Sequence, residues 1–176
     1  MSITRRAGVT SVRRLHLTPA APVAVGDKLP SIALYENSPG NKVDAAELCA
    51  GRKVVVFGVP GAFTPGCSNT HLPGYVASAA SMREKGVEEI VCISVNDPFV
   101  MEAWGREQGV AGKVRMLADP QGSLTSALGL GLDMAAILGN VRCKRFAMVV
   151  EDGVVTRLNV EPDGVGLSCS LAGMII

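Results

Sequence analysis

Apolar and polar positions along the chain alternate between two patterns. Residues 54–59 form a continuous apolar, mostly β-branched run, as expected of a strand covered on both faces. Residues 68–85 read as a helix interrupted near Pro73 and Gly74, and residues 89–95 as a second buried strand. Asp97-Pro98 opens the next helix, with Asp97 as N-cap and Pro98 at the first position before residues 99–108. Residues 114–117 are a third short strand, and residues 121–130 a helix weakened by its glycines. Two strand runs, 146–151 and 154–160, flank Asp152-Gly153 and predict a hairpin. Upstream, residues 34–43 carry Asn37, Ser38, Pro39, Gly40 and Asn41, the chemistry of a smaller hairpin. Residues 164–176 read as a glycine-rich loop leading into a short apolar end.

Strand–helix–strand–helix followed by a terminal hairpin predicts an α/β domain with a mixed central sheet flanked by helices. This is the order of a thioredoxin-like fold with an added N-terminal hairpin. The length of 176 residues fits one such domain. Residues 22–176 are assigned to it, because residues 1–21 read differently: Arg5, Arg6, Arg13 and Arg14 lie among Ser, Thr and small apolar residues, with no acid before Asp27. That is the composition of a mitochondrial transit segment, cleaved near residues 15–22. A cytoplasmic pool is compatible with it. Met174-Ile175-Ile176 is not a Ser-Lys-Leu-type peroxisomal address. Setting those four arginines aside leaves thirteen basic against sixteen acidic residues, so no general field draws the domain to nucleic acid. The apolar runs are strand-sized, far short of the ~20 residues of a membrane helix. Two histidines and no Cys-x-x-Cys argue against a structural zinc site.

The candidate chemistry follows the first buried strand, in Pro60-Gly61-Ala62-Phe63-Thr64-Pro65-Gly66-Cys67-Ser68. A cysteine there lies at the carboxyl end of a strand, where open α/β sheets place their sites. In the first turn of a helix, unpaired N–H groups and the helix dipole favour a thiolate over a thiol. An ordinary thiol is only about 3% ionised at pH 7, and a helix end supplies about 1–2 kcal/mol, so a nearby cation is expected to share the task. Thr64 occupies the place of the first cysteine in a redox Cys-x-x-Cys; its hydroxyl can hydrogen-bond a thiolate or a substrate oxygen. The plain alternative is a buried structural cysteine.

Pro60-x-x-x-Thr64-x-x-Cys67 resembles the peroxiredoxin active-site motif. Residues 57–68, with Thr70-His71-Leu72-Pro73-Gly74, Ser94-Val95-Asn96-Asp97, Leu117-Ala118-Asp119-Pro120, Lys144-Arg145-Phe146 and Asn159–Gly164, are similar to the type-five, atypical two-cysteine peroxiredoxins and their plant type-two relatives. Cys169, in Gly166-Leu167-Ser168-Cys169-Ser170, resembles the resolving cysteine of the animal type-five group. The resemblance implies a thioredoxin-dependent peroxidase with a role for each matching residue. Cys67 attacks the peroxide. Thr64 and the N–H groups of Gly66 and Cys67 bind it, and Pro60 shields the sulfur. Arg145, with Arg142 as rival, supplies the cation, and Cys169 closes an intramolecular disulfide with Cys67. It further implies peroxide substrates, thioredoxin as reductant, no metal or bound cofactor, and a homodimer as a family property.

The other thiols carry less. Cys92 alternates into the core of its strand, and Cys49 is core or partly exposed. Cys143 shares a face with Arg145 if their strand is regular, which would place a second thiol near the site. His71, four residues after Cys67, shares its helix face, so a Cys–His hydrolase is the rival enzyme class. A thioredoxin-like binding domain is the rival without chemistry.

Overall fold

The computed structural model describes residues 21–176; the proposed transit segment lies almost wholly outside them. Nine strands and six helices make up the described chain. The first are β1 (Ala33–Glu36), β2 (Lys42–Asp44), α1 (Ala45–Cys49) and β3 (Lys53–Gly58). A π-helical turn (Cys67–His71), α2 (Leu72–Glu84), β4 (Glu89–Ser94) and α3 (Pro98–Glu107) follow. Then come β5 (Arg115–Ala118), α4 (Ser123–Ala127), β6 (Gly131–Asp133), α5 (Ala135–Leu138) and β7 (Val141–Cys143). The chain closes with β8 (Phe146–Glu151), β9 (Val154–Val160) and α6 (Ala172–Ile175). Seven strands form one mixed sheet in the order β2-β1-β5-β4-β3-β8-β9, and β6 and β7 pair separately. β3, β4 and β5 are parallel, while β1 and β8 join them antiparallel. This is the thioredoxin-like arrangement expected from the order of elements, with the β1–β2 hairpin added.

Alternation along β3 divides the core. Val55 and Phe57 face one cluster with Cys92, Leu72, Tyr75 and Trp104, while Val54 and Val56 face a second with Leu48, Val91, Phe146 and Met148. Gly58, the last residue of β3, has no side chain because one there would run into the Phe146 ring and come within 3.0 Å of Cys143 Sγ. Asp152 (φ 48) and Gly153 (φ 75) both take left-handed backbone, the requirement of the type I′ turn that their sequence predicts between β8 and β9. Asp97 caps α3 by accepting from Phe99 N and Val100 N, both at 3.0 Å.

Three expectations are corrected. Pro73 and Gly74 do not interrupt their helix; they sit in its first turn, where a missing N–H costs nothing, and the irregularity lies one turn earlier as the π-helical turn. The helix placed at 121–130 shrinks to α4, and α1 and the β6–α5–β7 excursion are additional. Cys143 and Arg145 do not share a face. β7 stops at Cys143, which packs in the cluster of Phe146, whereas Arg145 reaches Cys67 of the other cluster. Of the two settings open to Cys49, the structure shows the core: it is fully buried.

Candidate active site

β3 delivers the chain to the site and β4 fixes the loop that follows. Ser94 Oγ donates to Asn96 Oδ1 (2.7 Å) and lies 3.2 Å from Val59 O, and Asn96 Oδ1 also accepts from Ala62 N at 3.0 Å. Pro60 is buried beside them. Phe63 holds left-handed backbone (φ 62), a strained state for a non-glycine residue, and its ring lies half exposed against Trp104. Trp104 Nε1 in turn donates to Ser68 Oγ at 3.0 Å. Thr64 Oγ1 donates to Gly61 O (2.9 Å), so its lone pairs remain available. Ser68 N donates to Thr64 O at 2.9 Å; the N–H groups of Gly66 and Cys67 stand ahead of this bonded amide, in the first turn.

Cys67 is fully buried. Arg145, at the junction of β7 and β8, is 3% exposed and donates from Nη1 to Cys67 Sγ at 3.4 Å. Its Nε donates to Val165 O (3.0 Å), and its backbone is tied to Gly164 O and Glu161 N. Gly66 has no side chain where one would come within 3.2 Å of Arg145 Nη2. Among the described residues no carboxylate forms a salt bridge with Arg145. Arg142 is engaged elsewhere: Nη1 donates to Val95 O (2.8 Å) and Nη2 to Leu138 O (3.1 Å), behind Gly61.

His71 does not form a dyad with Cys67. Its Nδ1 faces Arg145 Nη1 at 3.2 Å and its Nε2 faces Ser170 O at 2.9 Å. Burial, aided by Arg145, pushes its pKa down to about 4, against the opposing pull of Ser170 O and Glu161. The hydrolase reading thereby loses its base.

Cys169 is partly exposed and follows β9 in a segment organised by Glu161, which is 1% exposed. The Glu161 carboxylate accepts from the backbone N–H groups of Ser168, Cys169 and Ser170 and from the hydroxyls of Ser168 and Ser170, at 2.6–3.0 Å. Burial alone would raise its pKa, but these donors outweigh it and hold the carboxyl at about 2. Asn159 Nδ2 donates to Cys169 O (2.8 Å), and Tyr75 Oη to Ser170 O (2.7 Å). Burial first, then the Glu161 charge, pushes the Cys169 thiol up, so it rests protonated. All five cysteines are free. Burial drives Cys143 up to about 12 and Cys49 up to about 11, leaving both as unreactive thiols at neutral pH.

The part played by Glu161 and the double engagement of His71 were not anticipated, although both residues sit inside quoted motifs. Their partners are up to 99 positions away in sequence.

Residues 24–171 match the Redoxin family. The chain is 42% identical to Peroxiredoxin-2E, chloroplastic, of Arabidopsis thaliana, over 98% of its own length and 76% of that protein's. Among solved structures, it resembles reduced Prx3 from Vibrio vulnificus in complex with H2O2, with a TM-score of 0.80 and 46% identity over 86% of this chain and 96% of that one. It also resembles peroxiredoxin 5 from Alvinella pompejana, with a TM-score of 0.76 and 43% identity over 82% of this chain and 93% of that one. The chain therefore belongs to the redoxin family and, within it, to the peroxiredoxins, a family of thiol peroxidases.

Proposed function

We propose that Cys67 is the peroxidatic cysteine of a two-cysteine cycle that Cys169 resolves and thioredoxin resets. The observation that carries this reading is the buried Arg145 guanidinium, with no carboxylate partner among the described residues and Cys67 Sγ at 3.4 Å. A buried cation needs an anion, and the sulfur is placed to be one. The thiolate attacks one peroxide oxygen as the O–O bond breaks. The sulfur is oxidised to a sulfenic acid, and the departing oxygen leaves as water or an alcohol after taking a proton. In this reading Thr64 and the leading N–H groups of Gly66 and Cys67 hold the peroxide oxygens, and buried Pro60 walls the sulfur from water. The Cys169 thiol then displaces water from the sulfenic acid, forming the Cys67–Cys169 disulfide, and a thioredoxin dithiol returns both sulfurs to thiols. Support for the substrate is that the Vibrio relative was solved with H2O2.

Residues 1–21 serve in this reading as a cleaved mitochondrial address ahead of the domain 22–176. The chloroplastic relative makes a plastid the alternative organelle, which imaging of a fluorescent fusion to residues 1–21 separates.

Activity of two variants tests the cycle. Cys67→Ser abolishes peroxide reduction, since a hydroxyl is not ionised at neutral pH. Cys169→Ser keeps the first turnover but stops thioredoxin-coupled cycling. Retention of a tenth of the activity by Cys67→Ser removes Cys67 from its role, and continued cycling by Cys169→Ser removes Cys169.

A further inference from the structure

His71 is one of only two histidines in the chain, and neither of its nitrogens is free. Guanidinium has donors and no acceptor, so at 3.2 Å from Arg145 Nη1 the His71 Nδ1 must be the acceptor. The single proton of the neutral ring then sits on Nε2 and is donated to Ser170 O at 2.9 Å. The ring is held edge-on to Phe57 (5.1 Å) and Tyr75 (5.4 Å), which fixes its plane. Arg145 Nη1 is shared between His71 Nδ1 and Cys67 Sγ, and Nε is fixed by Val165 O. Without His71 the guanidinium keeps one other strap and can turn about it.

We infer that His71 is a positioning residue. As the neutral Nε2–H tautomer it orients Arg145 on Cys67 and joins that guanidinium to the carbonyl of Ser170, the neighbour of Cys169. The inference rests on the reading of Cys67 and Cys169 above and names the group that connects their two segments. A chain of three hydrogen bonds runs Cys67 Sγ, Arg145, His71, Ser170 O. The charged and titratable groups facing the ring are Arg145 ahead of β8, Glu161 after β9 and Tyr75 on its own helical stretch, with Cys67 on the far side of the shared Arg145 Nη1. Protonating Nδ1 would set two cations against each other, so the connection exists only with the ring neutral.

Two measurements test the inference without peroxide turnover. In a long-range proton–nitrogen NMR spectrum of the parent protein at pH 7, the His71 signals, assigned by their loss in His71→Gln, should show the Nε2–H tautomer. An Nδ1–H or doubly protonated ring overturns the inference, whatever becomes of any variant. Alkylation of Cys67 by iodoacetamide at pH 7, counted on the Cys67 peptide, should slow about tenfold in His71→Leu, the effect expected from losing one buried charged hydrogen bond. It should stay within about twofold of the parent in His71→Gln, whose amide can both accept from Arg145 and donate to Ser170 O. Equal slowing in both variants, or none in His71→Leu, reduces His71 to core packing and overturns the inference. If the peroxidase reading fails instead, Cys67→Ser keeps its activity while the tautomer result stands.

Discussion

At the residue scale the site consists of a sulfur and a guanidinium that share a buried space. Arg145 and Arg142 are three positions apart, and the sequence context of Lys144-Arg145-Phe146 favoured Arg145. The geometry gives the difference a physical form: Arg145 donates to Cys67 Sγ, whereas Arg142 is occupied by two carbonyls behind Gly61. Arg145→Ala should therefore slow the first peroxide step on the order of 10²-fold, the cost of removing a positioned charge. Arg142→Ala should slow it less, acting only through the loop that it props. Stopped-flow rates with the opposite ordering would move the cationic role to Arg142. Cys67, Thr64 and Arg145 could be singled out from the sequence because a short motif and one tripeptide context carry them. His71 was visible only as a neighbour of Cys67 on a helix face; the carbonyl that occupies it belongs to a residue 99 positions away.

At the element scale two segments meet, the π-helical turn bearing Cys67 and the stretch after β9 bearing Cys169. Glu161 holds the second through five donors. Its carboxyl is held at about 2, below the ordinary 4.5, so its contribution to stability is fully present above about pH 4.5 and fades as pH falls toward 2. Glu161→Gln should accordingly melt on the order of 5–10 °C below the parent at pH 7, and the gap should close between pH 4.5 and 2. A gap independent of pH would show that the charge of Glu161 does not hold the segment. His71, held near 4 rather than 6.5, makes its own loss between those values as its ring resists protonation; it occurs in both proteins and, because Glu161 opposes the shift, is the larger in Glu161→Gln. The hairpin of β8 and β9 was legible to the residue because Asp152-Gly153 admits few alternatives. α1, β6, α5 and β7 have three to five residues each and no period to read; tertiary contacts create them. The misplacement of Cys143 has the same origin, since alternation says nothing once β7 ends.

At the scale of the whole molecule, the mixed sheet places the carboxyl end of β3, the start of β8 and the exit of β9 side by side, in neighbouring strands. Cys67, Arg145 and the Glu161–Cys169 segment therefore come together although they are far apart in sequence. The fold class followed from the succession of elements, but which loops would meet did not, because that depends on strand pairing. The proposed cycle turns on a covalent bond between two of these loops. One equivalent of hydrogen peroxide added to the fully reduced protein, followed by intact mass and a non-reduced peptide map, tests it directly. The predicted result is a loss of about two hydrogens with a Cys67–Cys169 bridge. A gain of oxygen on a cysteine other than Cys67, or a bridge from Cys67 to Cys92 or Cys143, would contradict it.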